Sequence, residues 1–254
     1  MTPRFVATDA VLISAQAALV ALPDAGVPAW MRRFRGGWWA LILPLSIAVV
    51  VGAIELVPQT ADALTWVALI LIPPGAALAL GWAMHGARWP LAALAAPLLA
   101  LAWADVDGLA GDAAAAILTA LSCVTLGRIL AGIVPLPWLK AGIVAMAIVD
   151  SILVFGNRLQ APNAVLNAAI PAPGAPQLQY LDLHFASMGY GDVFVAGVLG
   201  GVLAAERRPQ GRAALLVLAC SILWDLLFFV YDTLPATVPV AVALVLLEAP
   251  RLRR

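Results

Sequence analysis

Residues 188–201 read MGYGDVFVAGVLGG, a stretch in which one carboxylate, Asp192, lies among apolar and small residues. Gly189 and Gly191 come shortly before it, and Val193 begins the apolar run that follows. A protein interior rarely holds such an acid without a partner. In the middle of a bilayer a charged side chain costs about 2.5–3.5 kcal/mol on insertion scales, so such residues are usually functional. The stretch therefore predicts a buried acid that has a task.

The composition surrounding this stretch is that of a membrane protein. Of 254 residues, 64% are hydrophobic and 11% are charged, and the mean hydropathy is +1.00. Soluble domains have about 25% charged residues, so we expect an all-α polytopic membrane protein. Because the formal net charge is zero, no nucleic-acid partner is expected. Lys140 is the only lysine among the 14 basic residues, which together with the many alanines indicates a prokaryotic source.

The apolar segments predict nine transmembrane helices, since a helix needs about 20 mostly apolar residues to cross the hydrocarbon core. We expect them at about 5–22, 38–57, 62–82, 88–104, 113–134, 138–156, 183–204, 213–231 and 235–249. The first segment could also be a signal peptide, although Asp9 within it argues against this. The connection 157–182 contains PAPGAP and is expected to be irregular. We predict a single membrane domain over residues 1–254.

The basic residues divide unequally between the two sides that nine spans create. One side receives Arg32, Arg33, Arg35, Arg88, Arg128, Lys140, Arg207, Arg208, Arg212, Arg251, Arg253 and Arg254, and the other receives Arg4 and Arg158. Cytoplasmic loops carry the excess of basic residues. The expected location is therefore a prokaryotic plasma membrane, with the N-terminus outside and the C-terminus in the cytoplasm.

Apart from Asp9 in the first segment and the acids at span ends, three acids fall within predicted spans: Asp150, Asp192 and Asp225. On a rise of 1.5 Å per residue, Asp150 lies about 10 Å below the outer face, and Asp192, ten residues past Asp182, lies about 15 Å below the same face. Their helices are sequential and antiparallel, so we expect the two carboxylates to meet. For Asp225 we favour a structural or cavity-lining role.

Two carboxylates in a low-dielectric site share one proton more easily than they both ionise. The ionised acid can then take a proton from water while the neutral one donates to a scissile carbonyl. From the residues alone, a helix–helix hydrogen bond and a proton relay in a transporter remain open as alternatives.

Three motifs resemble those of the GxGD intramembrane aspartyl proteases, the presenilin and signal peptide peptidase family. GYGD at 189–192 matches the name-giving motif, VDSILVFGN at 149–157 is similar to the segment of the first catalytic aspartate, and LPATVP at 234–239 resembles the proline–alanine–leucine motif before the ninth helix. The chain departs from the family pattern at Val149, where tyrosine is usual, and at Thr237, where leucine is usual.

This resemblance implies a presenilin-like fold in which residues 1–137 are scaffold helices and residues 138–254 carry catalysis. It implies that Asp150 and Asp192 are the catalytic pair. It further implies substrate contacts from Gly189, Tyr190, Gly191, Pro235, Ala236 and Thr237. Prolines at the third motif lack backbone donors, which leaves main-chain groups free to pair with an extended peptide.

The inferred topology is similar to that of signal peptide peptidase, so the implied partners are the bilayer and transmembrane-helix or signal-peptide substrates. No cofactor and no metal is expected, because Asp182 and His184 have no third ligand at a suitable spacing. The alternatives are a prepilin-peptidase-like protease and a proton-coupled transporter. For the former, ALAWADVDGLAGD at 100–112 would carry the first aspartate, but Phe194 stands where that family usually has lysine.

Overall fold

The computed structural model describes residues 2–252 and is built almost entirely from helices. Met1, Arg253 and Arg254 lie outside the described residues, including two of the arginines in the charge comparison above. Ten α-helices occur in residues 2–252: α1 Pro3–Ala21, α2 Ile42–Leu56, α3 Thr60–Leu78, α4 Ala95–Ala104, α5 Leu109–Ile133, α6 Leu136–Phe155, α7 Gln160–Ala168, α8 Tyr190–Ala205, α9 Gln210–Asp225 and α10 Val238–Leu252.

Short turns of other helix types extend several of these helices. A 3₁₀ turn at Gly37–Leu41 leads into α2, another at Trp89–Leu94 leads into α4, and α9 continues through Leu226–Phe229. A π-helical turn at Ala79–Ala83 follows α3, which contains two prolines, Pro73 and Pro74. A further 3₁₀ turn, Met31–Phe34, lies in the loop after α1.

Six of the described helical segments are long and apolar enough to cross a membrane. They are Pro3–Ala21, Gly37–Leu56, Thr60–Ala83, Leu109–Ile133, Leu136–Phe155 and Gln210–Phe229. Trp89–Ala104 and Tyr190–Ala205 are apolar but shorter. Many large apolar side chains lie on the outside of the bundle, as in Leu56 at 84% exposed and Phe229 at 75%. An apolar surface of this kind is suited to lipid, so the helical membrane character predicted from the sequence is supported.

The centre of the bundle is α8, packed closely against α5. Residues 193–204 of α8 are all buried, which is the pattern of a helix surrounded by others. A Cβ on Gly197 would lie 2.5 Å from the carbonyl oxygen of Cys123, and one on Gly201 would lie 2.4 Å from that of Gly127. The small residues of GVLGG at 197–201 therefore allow the close packing of α8 against α5.

A β-hairpin, which was not predicted from the sequence, precedes α8. Strands β1 Tyr180–Asp182 and β2 Ser187–Gly189 pair antiparallel, with Leu181 opposite Met188. The seventh helix was expected from residue 183, but α8 begins at Tyr190. His184 has a left-handed backbone with a φ of 65°, which an α-helix does not accommodate, and the strand pairing on either side satisfies the backbone groups instead.

Candidate functional site

A central cavity of about 660 Å³ lies among α1, α2, α3, α6, α8 and α9. We define this central cavity by its four acidic lining residues, Asp9, Asp150, Asp192 and Asp225. Gly189, Tyr190, Gly191, Pro235 and Ala236, five of the expected substrate contacts, also line it. The structure thus brings the three sequence motifs to one place. Thr237, the sixth expected contact, lies behind the lining.

Asp150 is held by the third motif. It lies on α6, is 2% exposed, and accepts a hydrogen bond of 2.6 Å at Oδ2 from the hydroxyl of Thr237. Thr237 is fully buried just before α10 begins. The placement of Thr237 therefore differs from the expected substrate contact, because its short side chain is taken up by the carboxyl group behind the cavity wall. A leucine there could not donate this bond.

Asp192 lies in the first turn of α8. Its Oδ2 accepts a hydrogen bond of 3.1 Å from the backbone N–H of Gly189, the residue that caps the helix. The estimate that placed Asp192 ten helical residues below the outer face is wrong, because the hairpin occupies most of that stretch. What sets its position is the junction between β2 and α8. Negative charge in the first turn also suits the helix dipole.

Gly191 in GYGD lets two helices approach each other closely. A Cβ on Gly191 would lie 3.0 Å from Cε of Met146 on α6, so the glycine lets the start of α8 come near the helix that carries Asp150. Tyr190, between the glycines, shares a hydrogen bond of 3.0 Å with the Ser122 hydroxyl on α5. The carboxyl groups of Asp150 and Asp192 are near enough to interact electrostatically.

Gln16 is a site residue that the sequence analysis missed. It is 1% exposed on α1, and its Nε2 donates to the carbonyl oxygens of Asp192 at 3.0 Å and Ala236 at 2.9 Å. One amide thus ties GYGD to LPATVP. The available signal was an amide side chain in the middle of an apolar predicted span, where a polar group needs a partner.

The hairpin presents a free backbone edge beside Asp192. The N–H of Leu183 donates to the carbonyl of Ala186 at 3.1 Å. Hydrogen-bonded pairs alternate in an antiparallel ladder, so the backbone groups of Ser187 and Gly189 point away from β1. Those of Gly189 are taken up by Asp192 and by the start of α8, which leaves Ser187 as the free position. Ser187 and Gly189 also line the central cavity.

Other residues anchor the hairpin. His184 Nδ1 lies 2.7 Å from Asp112 Oδ2 on α5. Burial, together with the nearby charges of Asp182 and Asp112, raises the pKa of Tyr180 to about 12. Its hydroxyl therefore stays protonated and donates to Gln177 Oε1 at 2.5 Å.

Other candidate groups lie elsewhere. Asp107 and Asp112, from the segment considered for a prepilin-type site, line a separate depression of about 360 Å³ with Asp182. Asp105 caps the next helix, accepting from Gly111 N–H at 3.2 Å. Residues 2–252 contain no group of three or more His, Cys, Asp or Glu arranged to hold a metal ion.

Comparison of this chain with models of known protein families, with curated proteins and with solved structures finds no match. The geometry of the central cavity is therefore the basis on which a function is proposed below.

Proposed function

We propose that this chain is an intramembrane aspartyl protease that hydrolyses peptide bonds within transmembrane helices or signal-peptide remnants. The observation that carries the proposal is that Asp150 and Asp192, from α6 and α8, line one cavity inside an apolar bundle. We further propose nine spans in a presenilin-like arrangement in a prokaryotic plasma membrane, with the N-terminus outside.

The proposed chemistry uses the two acids in different states. The ionised carboxylate accepts a proton from water as the water attacks the scissile carbonyl, and the neutral acid donates to the carbonyl oxygen, which gives a tetrahedral gem-diol. The C–N bond then breaks as the first acid passes its proton to the leaving amine and the second takes back a proton from a gem-diol hydroxyl, so that both acids return to their starting states. The hydrogen bond from Thr237 stabilises a fixed orientation of Asp150. The bond from Gly189 does the same for Asp192. Neither bond needs to break for proton exchange at the other carboxylate oxygen.

The hairpin supports the proposal because a membrane helix must unwind before water can attack it. An unwound segment has free backbone groups, and the edge at Ser187 offers partners for them by strand addition. Pro235 and Pro239 lie on another part of the cavity lining. A peptide paired with β2 would run directly toward Asp192.

The test is cleavage of a membrane-anchored reporter by the purified protein in proteoliposomes, with the reporter inserted in each orientation. We expect products cut within the apolar segment, identified by mass spectrometry, for the orientation with a cytoplasmic N-terminus. Absence of products from folded protein in both orientations would contradict the proposal. Proton-driven solute uptake by the same proteoliposomes, without cleavage, would instead support a transporter.

A further inference from the structure

A second pair of acids lines the central cavity and is not used by the proposed chemistry. Helices α1 and α9 pack together, and the carboxyl groups of Asp9 on α1 and Asp225 on α9 are close enough to interact. Both residues are half-buried and both line the cavity. Within an apolar bundle, the desolvation of two carboxyl groups costs more free energy than that of an amide or a hydroxyl. An amide or a hydroxyl would therefore be enough if the pair only joined two helices.

The surroundings of this pair contain polar groups without partners. Ser221 lies one helical turn before Asp225 on α9, lines the cavity and is 1% exposed. Its hydroxyl and the indole N–H of Trp224, another lining residue, are buried with no hydrogen-bond partner within residues 2–252. Buried polar groups are nearly always hydrogen-bonded, so two unsatisfied ones beside a cavity point to an occupant.

The charge of the cavity lining indicates which kind of group binds there. Its described lining holds four aspartates and no lysine, arginine or histidine. Two acids that share a proton still carry one negative charge, so a cation is the complementary group. The ring of Trp224 can add a cation–π contact.

The distance between the Asp9–Asp225 pair and the proposed catalytic acids can be measured along helix α1. Asp9 and Gln16 lie seven residues apart on one helix face, about 10 Å along the axis. The Gln16 amide bonds the backbone of Asp192. At about 3.3 Å per residue, an extended peptide covers 10 Å in about three residues. Arg4 lies over the ring of Phe185 in the hairpin turn, so the pair lies toward the hairpin end of α1.

We propose that Asp9 and Asp225 form a specificity subsite for a lysine or arginine side chain of the substrate, about three residues from the cleaved bond. The subsite rests on the proposed protease function. The substrate class is then a membrane segment with a basic residue near its cleavage point. The ammonium or guanidinium group donates to the two carboxyl groups, and the Ser221 hydroxyl and the Trp224 N–H donate to substrate carbonyls beside it.

The experiment compares matched reporters that carry Lys, Leu or Glu at successive positions around the cleaved bond. For the purified wild-type protein we expect kcat/KM to be at least tenfold higher for Lys than for Leu at one position about three residues away, and lowest for Glu. Asp9→Asn and Asp225→Asn should each reduce the Lys-to-Leu ratio toward one. Asp232→Asn, an exposed acid outside the cavity lining, should keep the ratio.

The ratio of kcat/KM for Lys and Leu reporters distinguishes a role of the pair in substrate recognition from a purely structural role. A pair that only joins α1 and α9 would change kcat/KM for Lys and Leu reporters alike, so a ratio unchanged in both Asn variants would overturn the subsite. A wild-type protein that cleaves reporters without preferring Lys would also overturn it while leaving the protease proposal standing. Folded protein that cleaves no reporter would overturn both. Making both isosteric variants keeps the test decisive if one fails to fold.

Discussion

Each of the two proposed catalytic acids is held by one short hydrogen bond from a different motif. Thr237 donates its hydroxyl to Asp150, and Gly189 donates its backbone N–H to Asp192. The first bond comes from a side chain, so it can be removed without touching the acid. The second comes from the backbone and survives any side-chain change at residue 189 that keeps the N–H. The Thr237 bond is therefore the better one to test.

Replacing Thr237→Val should reduce turnover by tenfold or more. Valine has nearly the same shape but no hydroxyl, and a hydrogen bond to a charged group contributes about 1.5–3 kcal/mol. Thr237→Ser retains the donor and should keep most of the activity. Turnover per folded molecule is the measurement, with folding checked by thermal unfolding in detergent. Equal turnover in the valine and serine variants would show that this bond does not orient Asp150.

Gln16→Met should impair both stability and catalysis. The change keeps the length of the side chain but removes the amide that donates to the carbonyls of Asp192 and Ala236. The cost in unfolding free energy should be about 1–3 kcal/mol. Ser14→Ala, an exposed residue on the same helix, is the control and should change neither property. A Gln16→Met protein with wild-type melting temperature and turnover would show that the hydrogen bonds of Gln16 contribute to neither stability nor catalysis.

At the scale of elements, the junction between the hairpin and α8 decides where Asp192 lies. Sequence patterns locate long apolar helices well, because periodicity and length are local properties. They missed the hairpin because six paired residues with mixed polarity have no strong period, and its pairing is fixed by contacts such as His184 with Asp112. They singled out Asp150 and Asp192 as acids within predicted spans that should meet, and both line the central cavity. They could not find the partnership of Asp9 with Asp225, which only the packing of α1 on α9 creates.

The contact of α5 with α8 gives a prediction at the same scale. Gly197→Ala places a methyl group 2.5 Å from the carbonyl oxygen of Cys123, so the helices must separate. Overpacking of this kind costs about 1–3 kcal/mol. We expect a lower melting temperature and reduced cleavage. Gly211→Ala meets nothing within 4 Å and is the control. A Gly197→Ala protein as stable as the control would contradict this close contact.

At the scale of the whole molecule, charged groups gather at opposite ends. Lys140 Nζ lies 2.5 Å from Glu206 and 3.1 Å from Glu248, and Arg208 and Arg251 join the same cluster. This cluster connects the start of α6 with the ends of α8 and α10. The start of α1 lies instead beside the hairpin turn, where Arg4 covers Phe185. Lys140, Arg208 and Arg251, which the arginine count put on one side, therefore lie together, and the side that faces the cytoplasm stays a prediction.

The proposed orientation can be checked directly. If the cluster around Lys140 faces the cytoplasm, a fluorescent protein fused after residue 254 should fluoresce, and alkaline phosphatase fused there should be inactive, because the first folds inside the cell and the second outside. Activity measured in whole cells decides the matter. An active phosphatase fusion and a dark fluorescent fusion would reverse the assigned topology, and with it the expected direction of the substrate.

The most direct test of the central claim is turnover of the reporter by Asp150→Asn, Asp192→Asn and the double variant, each purified and shown to be folded. Asparagine has the shape of aspartate but cannot exchange a proton. Because the two acids would act as one unit on water, we predict that each single variant is as inactive as the double variant. Asp232→Asn should cleave at the wild-type rate. Substantial turnover by either single dyad variant would contradict the account.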